Sequence, residues 1–126
     1  MSETATVLLV EDNEPFRKTL ELLFGLRADV EVVGSLSDGS RAVEACRALA
    51  PDVLVLDYRL PGLDGTEVAR AVRASCPEVA IVCLTGAASE EEIRELRTVG
   101  VVETVTKDED LDTIVTAVRN AAGLAE

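Results

Sequence analysis

Five short apolar runs, separated by segments whose apolar residues recur at helical spacing, constrain this chain more than any other feature. The runs are Val7-Leu8-Leu9-Val10, Val30 to Val33 interrupted by Glu31, Val53-Leu54-Val55-Leu56, Ala80-Ile81-Val82-Cys83-Leu84, and the weaker Val101-Val102-Glu103-Thr104-Val105. Unbroken β-branched runs of this length suit parallel strands covered on both faces. Between them, Phe16, Leu20, Leu23 and Phe24 fall on one helical stripe, with Pro15 suited to a first turn and Gly25 to an end. Val43, Cys46 and Ala50 make a second stripe, closed by Pro51, and Val68, Ala71 and Val72 a third, closed before Pro77. Ser89 with Glu92 reads as a capping box ahead of Ile93 and Leu96, and Leu111, Ile114, Val115 and Val118 mark the last helix. A strand-helix order repeated through the chain predicts one α/β domain over residues 1–126, a parallel sheet with helices on both faces. At 126 residues and 48% apolar content, the chain holds one such core and no second.

Composition removes several functional classes. The formal charge is −12, and both halves of the chain are negative, a balance that repels phosphate backbones and anionic lipids. Direct binding to nucleic acid or to a membrane is therefore not expected. There is no histidine, so the commonest general base, the usual zinc ligand and every Ser-His or Cys-His nucleophile are excluded. Phe16, Phe24 and Tyr58 are the whole aromatic content, too few for a base-stacking platform. Cys46, Cys76 and Cys83 form no C-x-x-C pair, and no signal peptide or long apolar span is present, which implies a reduced, cytoplasmic location. Cys83, inside the fourth apolar run, reads as a buried inert thiol.

In a parallel α/β sheet, ligands sit beyond the carboxyl ends of the strands. The first polar residues there are Glu11 and Asp12 after the first run, Asp57 after the third, Thr85 after the fourth and Lys107 after the fifth. Two carboxylates 4 Å apart repel by about 4 kcal/mol at an effective dielectric near 20, so three together call for a shifted proton or a bound cation. Oxygen ligands without His or Cys favour Mg2+. Lys107 and the Thr85 hydroxyl add a positive charge and a donor, which suits phosphoryl oxygens, and Asp57 is the candidate nucleophile, able to form an acyl phosphate. Each residue also has a plainer reading. Asp12 or Asn13 suits a helix cap near Pro15, Asp57 suits a turn ahead of Pro61-Gly62, Thr85-Gly86 suits a strand exit, and Lys107 suits a solvated charge. Independent plain readings do not account for complementary chemistry at all the strand ends.

These residues resemble the receiver domain of bacterial two-component response regulators, the CheY-like family. The resemblance runs from Val7-Leu8-Leu9-Val10-Glu11-Asp12 through Asp57-Tyr58-Arg59-Leu60-Pro61-Gly62-Leu63-Asp64-Gly65 and Leu84-Thr85-Gly86 to Lys107 and the last helix. It implies a flavodoxin-like (βα)5 fold with strand order 2-1-3-4-5. It also implies that Asp57 accepts a phosphoryl group from a histidine kinase or a histidine phosphotransfer protein. Glu11, Asp12, Asp57 and the backbone carbonyl of Arg59 are then the Mg2+ site, and Thr85, Lys107 and the Gly86 backbone amide contact the phosphoryl group. The implied partner is an output domain, possible beyond Glu126, or a downstream protein, engaged through the face of the fourth helix, fifth strand and fifth helix. The nearest pattern is that of regulators carrying helix-turn-helix output domains.

The chain departs from the family pattern at three places. Thr104 stands where members usually place a switch aromatic, and none of the three aromatics is expected to substitute from nearby. Asp108 replaces the proline that often follows the Lys, so a trans peptide is expected there. The segment from Thr98 to Thr106 keeps Gly100 but lacks the usual aromatic. Arg59 and Ala87 flank the path of a hydrolytic water by resemblance, and imply slow self-dephosphorylation. Two other readings are a pseudo-receiver that signals through protein contacts without phosphate, and a small hydrolase or nucleotide binder. Asp57-Tyr58-Arg59 lacks the D-x-D of an Asp-nucleophile hydrolase, and no glycine-rich loop follows Val10.

Overall fold

The computed structural model describes residues 4–61 and 63–124. Gly62, part of the expected turn after Pro61, and the last two residues lie outside them. Five parallel strands form the main sheet: β1 (Ala5–Val10), β2 (Val30–Leu36), β3 (Val53–Asp57), β6 (Ala80–Thr85) and β7 (Val101–Thr106). Their order is β2-β1-β3-β6-β7, which is 2-1-3-4-5 counted along the sheet's own strands, as the resemblance implies. A separate antiparallel ribbon of two residues a side, β4 (Arg59–Leu60) and β5 (Leu63–Asp64), follows β3.

The helices are α1 (Glu14–Gly25), α2 (Ala42–Leu49), α3 (Gly65–Ser75), α4 (Glu90–Thr98) and α5 (Leu111–Ala121), with a 3₁₀ turn at Gly39–Arg41 leading into α2. Strand alternation divides the core in two. Leu8, Leu54, Ile81 and Cys83 face α2, α3 and α4, whereas Val7, Val53, Val82 and Leu84 face Leu20, Phe24, Ile114 and Val118 of α1 and α5. The central strands β1, β3 and β6 are buried on both faces, the condition that unbroken apolar runs meet.

Several sequence expectations need correction. β2 runs on to Leu36 rather than ending at Val33, because a bulge against β1 passes over Val33 and pairs Leu8 with Gly34. There a Cβ would meet Leu49 Cδ1 at 2.8 Å and Leu8 Cδ1 at 2.9 Å. Ala50 is exposed and ends α2 in the left-handed region at φ 47°, so the buried stripe of that helix is Ala42 and Cys46. In α3 Ala69, not Ala71, is buried beside Val68 and Val72. Leu111 opens α5 at the surface, and its buried face is Ile114, Val115, Ala117 and Val118. No described peptide bond is cis, so Lys107–Asp108 is trans as expected.

Candidate functional site

The site forms where β1, β3, β6 and β7 end, and backbone hydrogen bonds hold those ends in step. Tyr58 N donates to Leu84 O at 2.8 Å, and Lys107 N donates to Thr85 O at 2.7 Å. Glu11 N donates to Leu36 O at 2.9 Å. Asp57 is the last residue of β3 and Thr85 the last of β6, while Glu11 and Lys107 stand one residue past their strands. Asp12, Asn13, Asp57, Arg59, Gly86 and Lys107 line one open cleft of about 490 Å³.

Asn13, not Asp12, caps α1, its side chain accepting from Phe16 N at 2.9 Å, so Asp12 stays exposed at the cleft. Glu11 and Asp57 are buried, and a carboxylate oxygen from each of Glu11, Asp12 and Asp57 lies within 4.8 Å of the others. Burial pushes the Asp57 carboxyl above the usual range, and Glu11 beside it adds to the rise; Lys107 and the Arg59 N–H pull the other way and do not offset it. The Asp57 side chain also closes a local turn, accepting from Arg59 N at 3.2 Å, so the turn reading and the site reading hold together.

Lys107 lies directly against the two buried acids. Its Nζ lies 2.9 Å from Glu11 Oε1 and 3.2 Å from Asp57 Oδ2, because the ammonium is the nearest countercharge for two buried carboxylates. Burial works against the charge on Lys107, but the hydrogen bond to Glu11 and the charges of Asp57 and Glu11 prevail and hold its pKa above the ordinary value. The sequence reading missed two supports. The Phe16 ring, taken only as core, has its centroid 5.1 Å from the ammonium, and Arg17 Nη1 donates to Glu11 O at 2.9 Å. Both stand in the first turn of α1, where helical periodicity says nothing about contacts with a strand end.

The Thr85 hydroxyl is buried without a hydrogen-bond partner at the end of β6, beside Gly86, which lines the cleft as Thr85 itself does not. An orphaned hydroxyl there is a donor available to an incoming oxygen. Thr104, on β7, is half-buried, and Ala87 is exposed. Arg59 is exposed, with its guanidinium carbon 5.6 Å from the centroid of the Tyr58 ring.

The family described as response regulator receiver domain matches residues 7–119. The chain belongs to that family. It is 40% identical to protein-glutamate methylesterase/protein-glutamine glutaminase 5 of Myxococcus xanthus, over 93% of this chain and 36% of that protein. It is 29% identical to the transcriptional regulatory protein LiaR of Bacillus subtilis, over 92% of this chain and 55% of the relative. Among solved structures, the signal receiver domain of the putative response regulator NarL from Mycobacterium tuberculosis superposes with a TM-score of 0.90 at 32% identity, covering 96% of this chain and 98% of that one. A LuxR-family response regulator from Aurantimonas sp. also gives 0.90, at 28% identity, over 95% and 86%. This receiver domain thus spans about half or less of the curated relatives it matches. No described helix of the receiver is long and apolar enough to cross a membrane.

Proposed function

We propose that this receiver is a phosphorylation switch in which Asp57 accepts a phosphoryl group from a phosphohistidine on a histidine kinase or histidine phosphotransfer protein. The observation that supports this most is the meeting of a buried acceptor carboxylate, Asp57, with the Lys107 ammonium and two further carboxylates at the ends of neighbouring strands. An Asp57 oxygen forms the new bond to phosphorus as the phosphorus–nitrogen bond of the donor breaks, and the departing imidazole nitrogen keeps the electron pair and takes a proton from solvent. Lys107 offsets charge on the phosphoryl oxygens, and the unpartnered Thr85 hydroxyl and the Gly86 amide donate to them.

The acidic cluster fits a hard divalent cation: three carboxylates are in reach of one another, and no nitrogen or sulfur ligand is among them. Glu11, Asp12 and Asp57, with the Arg59 carbonyl, would hold Mg2+, which when bound neutralises phosphoryl charge during transfer. Phosphorylation then shifts the balance of states at the face of α4, β7 and α5; between β7 and α5 that face carries a groove of about 510 Å³ lined by Glu103, Thr104, Thr106, Asp110, Thr113 and Ala117. An output domain or a separate cytoplasmic protein would read that face.

Acetyl phosphate with Mg2+ tests the acceptor directly. The wild type is expected to gain the mass of one phosphoryl group and Asp57→Asn none. Label retained in Asp57→Asn would overturn the assignment. A wild type that takes no label, yet binds its partner as Asp57→Asn does, would point instead to a module working through protein contacts alone.

A further inference from the structure

Of the five described α-helices, α4 buries the fewest residues. Leu96 is its one buried side chain, and of the residues that lead into it Gly86, Ala87 and Ser89 are exposed and Ala88 is half-buried. Nothing lies within 4 Å of a Cβ placed at Gly86, so packing does not brace the chain at that residue. The amino end of α4 is nevertheless tied down, and the tie comes from the residue next to Asp57. The Tyr58 hydroxyl donates to Glu92 Oε2 at 3.2 Å.

Glu92 is also the closing residue of the α4 capping box. Its Oε1 accepts from Ser89 N at 2.9 Å, and its own N–H donates to Ser89 Oγ at 3.1 Å. One carboxylate therefore secures the first turn of α4 with one oxygen and binds Tyr58 with the other. The main chain of Tyr58 is fixed on both sides: its N–H meets Leu84 O at 2.8 Å, and its carbonyl accepts from Gly65 N at 2.6 Å. Gly65 cannot acquire a Cβ without placing it 2.8 Å from Tyr58 Cα. The preceding residue closes a turn over Tyr58, since Asp57 Oδ1 accepts from Arg59 N. A change of charge on Asp57 alters that bond, and Tyr58 is the side chain inside the turn. The side chain is buried and its hydroxyl reaches α4, whereas Phe16 and Phe24 both belong to α1 on the opposite face of the sheet.

We propose that Tyr58 is the positioning residue that couples the state of Asp57 to the amino end of α4 in this chain, acting through Glu92. The proposal rests on the phosphoacceptor role of Asp57 given above. It assigns to an aromatic on the β3 side a task that Thr104, with no ring, cannot perform by steric means.

The test compares wild type, Tyr58→Phe and Glu92→Gln with acetyl phosphate and Mg2+ present throughout. Intact mass reads phosphorylation, and amide hydrogen exchange over residues 86–98 reads the response of α4. Tyr58→Phe keeps the ring and its packing but not the donor, and Glu92→Gln keeps an oxygen for Ser89. All three proteins are expected to gain one phosphoryl group. Exchange over 86–98 is expected to change on phosphorylation in the wild type, to a reduced extent in Glu92→Gln and not at all in Tyr58→Phe. A wild-type response in Tyr58→Phe would overturn the coupling role, as would a phosphorylated wild type whose α4 exchange stays constant. A wild type that takes no phosphoryl group would overturn the phosphoacceptor reading itself, and the coupling with it.

Discussion

The Lys107 ammonium stands 3.2 Å from the Asp57 carboxylate, although the two leave different strands and β6 lies between those strands in the sheet. Two parallel registers bring them together, with Asp57 level with Leu84 and Thr85 level with Thr106. Lys107 also touches Glu11 at 2.9 Å, so one cation joins both buried acids. Removing it leaves them no countercharge, only the backbone N–H groups of Asn13 on Glu11 and Arg59 on Asp57. Lys107→Ala is expected to lower unfolding stability by about 2 kcal/mol, less than the loss of a fully buried pair because 25% of the Lys107 side chain is in solvent. Urea denaturation measures this, and adding Glu11→Gln should recover part of the loss, since two buried acids without a countercharge become one.

The same crowding predicts a response to divalent cation. Mg2+ at about ten times its Kd is expected to stabilise the wild type by about 1.4 kcal/mol, seen as a rise in melting temperature that a chelator reverses. Asp57→Asn is expected to melt above the wild type without Mg2+, because a buried carboxylate is taken out of the cluster, and to lose most of the Mg2+ response. Asp12→Asn should lose the response without the gain, since Asp12 is exposed.

Phosphate lifetime gives a third prediction. Arg59 lines the cleft beside Asp57, and Ala87 has no group that orients water. Self-dephosphorylation is expected to be slow and to quicken severalfold in Arg59→Ala, followed by intact mass after removal of excess acetyl phosphate. A half-life of seconds that Arg59→Ala leaves unchanged would contradict it.

Buried thiols set a limit on the alkaline side. Burial pushes Cys83 up to about 12 and Cys46 to about 11, from an ordinary 9.0. With folded values above unfolded ones, the stability these thiols contribute is complete below pH 9 and is lost as pH rises towards 11 to 12. At pH 10 the loss is about 1.4 kcal/mol for each thiol. Denaturant midpoints at pH 8 and pH 10 measure it, and Cys83→Val should remove its share of the fall.

Strand positions and the residues at their ends were legible in the sequence because a strand buried on both faces needs an unbroken apolar run, and the first polar residue after it marks where the chain leaves the sheet. That logic placed Glu11, Asp57, Thr85 and Lys107, and the capping box read at Ser89 and Glu92 is present at the start of α4; a second, Asp64 with Glu67 at the start of α3, was just as local and was missed. It weakened where burial is one-sided. The edge strand β2 carries a bulge and a glycine, so its last three residues show no pattern, and Ala50 and Ala71 satisfy a helical stripe without being buried.

The sequence by itself therefore determined the fold class, the order of elements and the set of polar groups delivered to one end of the sheet. Only the tertiary structure decided which of those groups touch: that Lys107 pairs with both buried acids, that Asn13 rather than Asp12 caps α1, and that Tyr58 reaches Glu92. The physical reason is that periodicity specifies the face a side chain leaves from. Its partner is specified by the register of separate strands and by how each helix lies on the sheet, and both are settled by packing across distant parts of the chain.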